Sequence, residues 1–111
     1  MALFNIFKKK ENSSKGFNNL SVNNIQKLTD KSIKITFEIP SDKFQDYHFL
    51  PGQYIDLESE IDGEKIRRSY SICSLSEGQI SIGVKFIENG KMSGFLKKVN
   101  PGDNLSVLQL T

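Results

Sequence analysis

The chain has 111 residues, and its 15 lysines and arginines nearly balance 13 aspartates and glutamates, which leaves a net charge of +2 at pH 7. One domain with its own core is expected at this length, and the balanced charge argues against a nucleic-acid-binding protein, which concentrates basic residues on one face. The single cysteine, Cys73, excludes an internal disulfide, favours a reducing compartment and so predicts a cytoplasmic location.

Residues 1–19 are predicted to form a flexible N-terminal tail. The apolar segment Met1–Phe7 is followed by three lysines and a polar tract. One interpretation is a small amphipathic element that touches an anionic membrane or a partner. We prefer a frayed terminus, because seven residues carry little apolar surface. The segment is too short for a secretory signal, and the chain nowhere contains the roughly 18 apolar residues of a membrane span.

Alternation of apolar and polar residues predicts the first two strands. Leu20–Leu28 has an imperfect period, whereas Ser32–Ile39 alternates cleanly. A turn over residues 29–31 joins them into a hairpin. Pro40 ends the second strand, because proline cannot donate a hydrogen bond to a ladder.

The segment Ser41–Leu50 is predicted to be a loop with aromatic anchors. Its histidine, His48, is the only one in the chain and has no second ligand at metal-site spacing, so no metal site is expected. Pro51-Gly52 suits a type II turn. Gln53–Ile61 alternates again and is predicted to be a strand, which Asp62-Gly63 connects to the next strand as a tight hairpin.

The most unusual stretch is Lys65–Ser74, which is rich in strand-forming residues but mixes charge into an apolar face. Ile66, Arg68, Tyr70 and Ile72 would share one side of a regular strand. A guanidinium between two isoleucines is costly to bury without an anionic partner. Either a β-bulge redirects Arg68 and Tyr70, or a bound molecule covers their face. Such local conflicts often mark functional sites. The neighbouring Cys73 is expected to be buried.

The rest of the chain is predicted to supply two more strands and a helix. A turn at residues 75–78 precedes a strand over Gln79–Ile87. Ser93 is predicted to cap a helix over Gly94–Val99, and Asp103–Leu110 is the last strand. Six hairpin-linked strands favour a closed or nearly closed antiparallel barrel over residues 20–111.

Three motifs resemble those of the ferredoxin–NADP reductase superfamily. Arg68-Ser69-Tyr70-Ser71 is similar to its Arg-x-Tyr-Ser motif, Phe49–Tyr54 to its upstream Pro-Gly-Gln-Tyr turn, and Gly90-Lys91-Met92-Ser93 to its downstream Gly-x-x-Ser phosphate loop. One motif alone would be weak, but the three occur in the family's order. The sequence of these motifs is most similar to that of the flavin domains of phenylacetyl-CoA-oxygenase-type and hydroxylating-oxygenase reductases. The resemblance implies an all-β fold: a six-stranded antiparallel Greek-key barrel with one short helix before the last strand.

The resemblance also implies a site for FAD. Arg68 would offer a planar charged fork to phosphate oxygens, and Tyr70 a ring to stack against the flavin. Ser71 would be the catalytic residue at the redox-active edge of the flavin, a contact that requires the predicted bulge. The Gly90–Ser93 loop would open a helix whose free N–H groups favour anions. The implied cofactor-binding residues are Arg68, Tyr70, Ser71, Val84, Lys85, Gly90, Lys91, Met92 and Ser93.

The function implied by the resemblance is the FAD-binding domain of an NAD(P)H-dependent electron-transfer reductase. In that family an NAD(P)-binding domain follows the barrel, and some members add a 2Fe-2S domain. The chain has neither a glycine-rich dinucleotide loop nor a cysteine cluster. It is therefore interpreted as part of a larger reductase that passes electrons to a ferredoxin or oxygenase partner, and as unable to oxidise NAD(P)H alone. The alternative is a barrel without flavin that serves as an interaction module, or one of the type that binds single-stranded nucleic acid.

Overall fold

The computed structural model describes residues 17–47, 53–76 and 78–108. The strands are β1 (Phe17–Thr29), β2 (Ser32–Glu38), β3 (Tyr54–Ile61), β4 (Glu64–Ser76), β5 (Gln79–Lys85) and β6 (Asn104–Leu108); a 3-10 helix spans Ser41–Tyr47, and α1 spans Lys91–Leu96. All neighbouring strands pair antiparallel in the order β1-β2-β5-β4-β3-β6, and β6 pairs with β1 to close the barrel. The predicted fold class is confirmed. Neither helix in these ranges is long and apolar enough to cross a membrane.

The core fills the barrel with apolar side chains from every strand. Its largest fully buried members are Phe37, Leu20, Ile35, Leu57, Ile80, Ile82, Leu96, Val22, Val84 and Val107. Each large side chain contributes roughly 1.5–3 kcal/mol through burial. The hydroxyls of Thr36 and Ser81 are also buried, but on the face of β2 and β5 opposite to Ile35 and Ile82, and they lie 2.8 Å apart. Because they hydrogen-bond to each other, neither is left as an unsatisfied buried polar group.

The turn between β3 and β4 forms as predicted. Asp62 has φ of 53° and Gly63 has φ of 78°, the pair of positive values that a two-residue type I′ hairpin requires. From this turn the two strands pair without irregularity, from Ile61 opposite Glu64 to Tyr54 opposite Ser71. The turn therefore fixes which face of the barrel each β4 side chain meets.

Two boundaries near the start of the chain differ from the prediction. β1 begins at Phe17, because Phe17 already pairs with Leu108 of β6, so residues 17–19 belong to the barrel and not to a tail. The predicted loop after Pro40 is a 3-10 helix up to Tyr47. The Tyr47 side chain is buried and its hydroxyl donates to the Val107 carbonyl at 2.9 Å. The predictions for residues 1–16, His48 and Pro51-Gly52 lie outside the described residues.

The irregularity in β4 lies further along than predicted. Pairing with β3 is regular through Arg68 and Tyr70, so there is no bulge there. The shift occurs in the pairing with β5, where Ile72 faces Ile82 and Ser74 faces Ser81. Cys73 is the extra residue, and it is exposed rather than buried. β4 then continues to Ser76, past the start of the predicted turn.

Helix α1 also begins earlier than predicted, at Lys91 rather than Gly94. Gly90 is its N-cap, and no side chain caps it. Ser93, the predicted cap, lies inside the helix and is 5% exposed. Met92 and Leu96 are four residues apart and pack into the core, which ties the first turn of the helix to the barrel.

Candidate functional site

A cavity of about 170 Å³ lies between β4 and the loop that leads into α1. Its lining residues are Arg68, Ser69, Tyr70, Lys85, Ile87, Gly90, Lys91, Met92 and Ser93. These include all of the predicted site residues except Ser71 and Val84. Residues of the Arg-x-Tyr-Ser and Gly-x-x-Ser motifs, which are separated by about twenty residues in the sequence, therefore form opposite walls of one cavity.

Strand β4 supplies the first wall. Its register puts Arg68 opposite Leu57 and Tyr70 opposite Ile55, so both side chains leave the strand on its inward face, beside the cavity. Arg68 is exposed and donates from Nη1 to the Arg67 carbonyl at 2.8 Å. Across the described ranges no carboxylate forms an ion pair with Arg68. Tyr70 is half-buried, and burial raises the pKa of its phenol, an effect that the Arg68 charge partly opposes.

The loop Ile87–Gly90 and the first turn of α1 supply the second wall. The Ile87 N–H donates to Ser93 Oγ at 3.0 Å, and the Gly90 N–H donates to the Ile87 carbonyl at 2.8 Å. A Cβ on Gly90 would lie 2.9 Å from Ser93 Oγ and 3.0 Å from the Ile87 carbonyl oxygen. Gly90 has φ of −77°, so close packing rather than a left-handed backbone requires glycine there. The positive φ of this loop, 64°, belongs to Asn89.

Three of the residues that line the cavity are basic. Arg68, Lys85 and Lys91 line it, and none of the described residues that line it is acidic. Lys91 Nζ lies 2.6 Å from the Oε1 atom of Glu64, the first residue of β4. Their hydrogen bond and mutual attraction lower the pKa of Glu64 and raise the pKa of Lys91. Because both side chains are exposed, the pair adds little to the stability of the fold.

Two predicted site residues lie away from the cavity. Val84 is 1% exposed and belongs to the core, where β5 pairs it with Ile33. Ser71 is exposed and faces Tyr54, whose side chain is 64% exposed. Because β4 is regular at this point, Ser71 leaves it on the face opposite to that of Arg68 and Tyr70.

A second cavity of about 360 Å³ adjoins the first. The two share Ile87, Gly90 and Ser93, and the second is also lined by Phe86, Glu88, Asn89, Gly94 and Lys97. Lys97 Nζ lies 5.2 Å from the centre of the Phe86 ring. The sequence prediction missed this extension because it treated Phe86 and Ile87 as the end of a strand. The sequence does contain one indication of this cavity. Ile87 is an apolar residue at a position of the predicted strand that faces outward, directly before a turn.

The closed barrel and its cation-lined cavity agree with what the sequence comparison shows. Residues 19–108 match the sequence model of the oxidoreductase FAD-binding domain. The chain therefore belongs to that family, whose cofactor is FAD, and the predicted membership is confirmed. In the part of the chain that the structure describes, no group of three His, Cys, Asp or Glu residues is placed to hold a metal ion.

Individual relatives agree with this assignment. The 1,2-phenylacetyl-CoA epoxidase of Escherichia coli (strain K12) has a component that is 38% identical over 94 residues, which cover 83% of this chain and 26% of that component. A flavohemoprotein of Burkholderia sp. (strain TH2) is 35% identical over 108 residues, covering 94% of this chain and 28% of that protein. The chain thus spans about a quarter of the length of these curated relatives.

A solved structure shows the same fold. A ferredoxin NADP+ reductase from Neisseria gonorrhoeae with bound FAD and NADP superposes with a TM-score of 0.71 at 23% identity, covering 84% of this chain and 37% of that one. At this identity the likeness concerns the fold alone. Family membership rests on the sequence match, and neither comparison supports the alternative of a barrel without flavin.

Proposed function

We propose that this chain binds FAD in the cavity between β4 and α1, as the flavin domain of a larger NAD(P)H-dependent electron-transfer reductase. The observation that carries the proposal is that Arg68 and Tyr70 meet Gly90–Ser93 across one cavity with three cationic lining residues. A cation-lined cavity beside a half-buried aromatic ring fits a ligand that joins a phosphate group to a flat ring.

The pyrophosphate would lie on Arg68, Lys85 and Lys91. The Arg68 guanidinium can donate two parallel hydrogen bonds to phosphate oxygens, while each lysine acts as a point charge. Helix α1 has only six residues, so we assign the attraction to these side chains and not to the helix terminus. The first cavity is large enough for a phosphate-sized group, and the adjoining cavity of about 360 Å³ offers room for the adenosine half.

Tyr70 would stack its ring against the ribityl chain or the isoalloxazine. Its hydroxyl is protonated at neutral pH, as that of an ordinary tyrosine is, and can donate a hydrogen bond. We keep Ser71 as the proposed catalytic residue because it is exposed and follows Tyr70 in β4, although on the opposite face of the strand. Without a bulge at Arg68–Tyr70, it can reach the redox-active edge only if the ring extends past β4 towards the face that carries Tyr54.

When bound, FAD would accept and release electrons one or two at a time. The residues of this chain would bind it, orient it and limit the access of water. A toluate 1,2-dioxygenase electron transfer component of Pseudomonas putida is among the relatives, 32% identical over 89 residues. This relative supports onward electron transfer to an oxygenase partner. A 2Fe-2S centre or a ferredoxin as acceptor, and a separate NAD(P)-binding domain, are further parts of the proposal. The exposed thiol of Cys73 supports a cytoplasmic location.

A titration of the purified chain with FAD and with FMN tests the proposal, with flavin fluorescence and visible absorbance as readouts. We expect saturable FAD binding and clearly weaker FMN binding, because FMN lacks the pyrophosphate and the adenosine half. Absence of binding of either flavin by the folded chain would overturn the assignment of the cavity as a self-sufficient site. Equal affinities would overturn the role given to the second cavity.

A further inference from the structure

We propose that Glu64 is a built-in competitor for the phosphate group of the cofactor: its carboxylate neutralises Lys91 until a bound phosphate displaces it. This inference rests on the function proposed above and adds a residue that controls the affinity of the same site. Glu64 would thus set the affinity for the flavin nucleotide without itself contacting it in the final complex.

The geometry links Glu64 directly to the wall of the cavity. It follows the Asp62-Gly63 turn at the start of β4, whereas Lys91 opens α1, 27 residues later. Lys91 Nζ and Glu64 Oε1 are nevertheless 2.6 Å apart. Of the ion pairs in the described part of the chain, this one alone joins β4 to α1 and includes a residue that lines the cavity. The ammonium that a phosphate would use is therefore already engaged by a carboxylate.

Lys91 is the cation that Glu64 contacts. It is also the main cause of the lowered pKa of Glu64, to which the Arg68 charge adds only the smallest effect. A carboxylate and a phosphate carry charge of the same sign, so they compete for one cation and repel each other at short range. Glu64 is thus placed to compete with the ligand at Lys91.

The pair can open. The side chains of Lys91 and Glu64 are 51% and 58% exposed, and exposed ion pairs are weakly held and screened by salt. The flexible four-carbon stem of Lys91 lets its ammonium turn from the carboxylate towards a phosphate. A buried pair at this position would have blocked the site, but an exposed one only competes for it.

The test compares Glu64→Gln with the wild-type chain in titrations with FAD and with riboflavin, which has no phosphate. Removing the charge at constant size should tighten FAD binding about two- to fivefold, the scale of one exposed charge interaction. Riboflavin affinity should not change, and the gain for FAD should shrink at about 1 M salt. The matched control is Glu60→Gln, an exposed glutamate of β3 opposite Lys65 that forms no ion pair within the described ranges.

Three other outcomes would contradict the proposed role of Glu64. If the wild-type chain binds FAD but Glu64→Gln binds it equally or more weakly, Glu64 is not a competitor, and weaker binding would show that it positions Lys91. Equal tightening for riboflavin, or an equal gain in Glu60→Gln, would exclude a local effect on the phosphate. If neither the folded wild-type chain nor the variant binds FAD, the proposed function fails together with this inference.

Discussion

The two walls of the cavity are built in different ways. On the β4 wall, backbone pairing with β3 holds the strand, and the side chains of Arg68 and Tyr70 take no part in that ladder. On the loop wall, the side chains that line the cavity also hold the loop in shape, since Ser93 bonds to Ile87 and packs against Gly90.

This difference separates binding from stability. Substitution of Arg68 on the β4 wall should change ligand affinity while the barrel stays as stable as before, whereas Tyr70 also packs against the core. Substitutions on the loop wall should lower stability and affinity together, because the loop loses its shape. The following variants test this distinction, in order of decreasing expected effect on stability.

Gly90→Ala should have the largest effect. The added methyl group would lie 3.0 Å from the backbone oxygen of Ile87, so the loop must shift. We expect a loss of about 1–3 kcal/mol in the free energy of unfolding, or roughly 4–8 °C in Tm per kcal/mol for a domain of this size. Thermal unfolding followed by circular dichroism measures it, and FAD affinity should fall as well.

The matched control for this variant is Gly94→Ala in the same helix. A Cβ on Gly94 would have no heavy atom within 4 Å, and alanine favours helix over glycine by up to about 1 kcal/mol. Gly94→Ala should therefore be neutral or slightly stabilising. Equal losses of Tm in both variants would contradict the close-packing role given to Gly90.

Ser93→Ala should have an intermediate effect. It removes the hydrogen bond from the Ile87 N–H to Ser93 Oγ, worth about 0.5–1.5 kcal/mol. Because the loop then loses a tie to α1, FAD affinity should fall along with stability in denaturant titrations. Ser74→Ala, at an exposed serine of β4, should leave the unfolding midpoint unchanged. A variant that loses affinity at full stability would instead indicate direct contact of the Ser93 hydroxyl with the ligand.

Tyr70→Phe should have the smallest effect, visible only at alkaline pH. The pKa of Tyr70 is raised above its usual value of about 10 by burial. The stabilisation that comes from burying the neutral phenol of Tyr70 is thus complete below about pH 10. It is lost as the pH rises through the pKa of Tyr70 in the folded protein. Tyr70→Phe should lose less stability than the wild type over that range, as measured by urea midpoints against pH. Identical profiles would contradict the burial of the phenol.

Much of the barrel could be predicted because its signals are local. The alternation in β2 and β3 marks their inward faces, and Asp62-Gly63 specifies its hairpin by the positive φ values that both residues adopt. The bulge at Cys73 could not be placed, because it depends on how β4 aligns with β5. The sequence conflict around Arg68 pointed to the right stretch, but its cause is an open cavity and not a bulge.

For the candidate site, too, only the features that depend on local sequence could be predicted. The motifs identified both walls, but the start of α1 depends on a bond between Ser93 and Ile87 that competes with capping. The Glu64–Lys91 pair joins residues from distant parts of the chain, and no local sequence pattern predicts it. The family resemblance implied that both Val84 and Lys85 line the site, yet Val84 belongs to the core, on the opposite phase of β5 from Lys85.

Neighbouring arginines on opposite faces of β4 give the most direct test of the cofactor site. Arg67 lies on the outer face, where its Nε is 3.2 Å from Asp56 Oδ2 and its guanidinium stands 5.0 Å from the centre of the Phe17 ring. Arg68 lines the cavity. The substitutions Arg67→Ala and Arg68→Ala remove the same charge from adjacent positions, so they differ in site and not in net charge.

The measurement is the FAD dissociation constant of the two variants, with Tm as the check on folding. If the cavity holds the pyrophosphate, Arg68→Ala should weaken FAD binding about tenfold or more, the scale of a hydrogen bond to a charged group. Arg67→Ala should bind FAD nearly as the wild type does. Equal losses in both variants, or a larger loss in Arg67→Ala, would contradict the placement of the cofactor between β4 and α1.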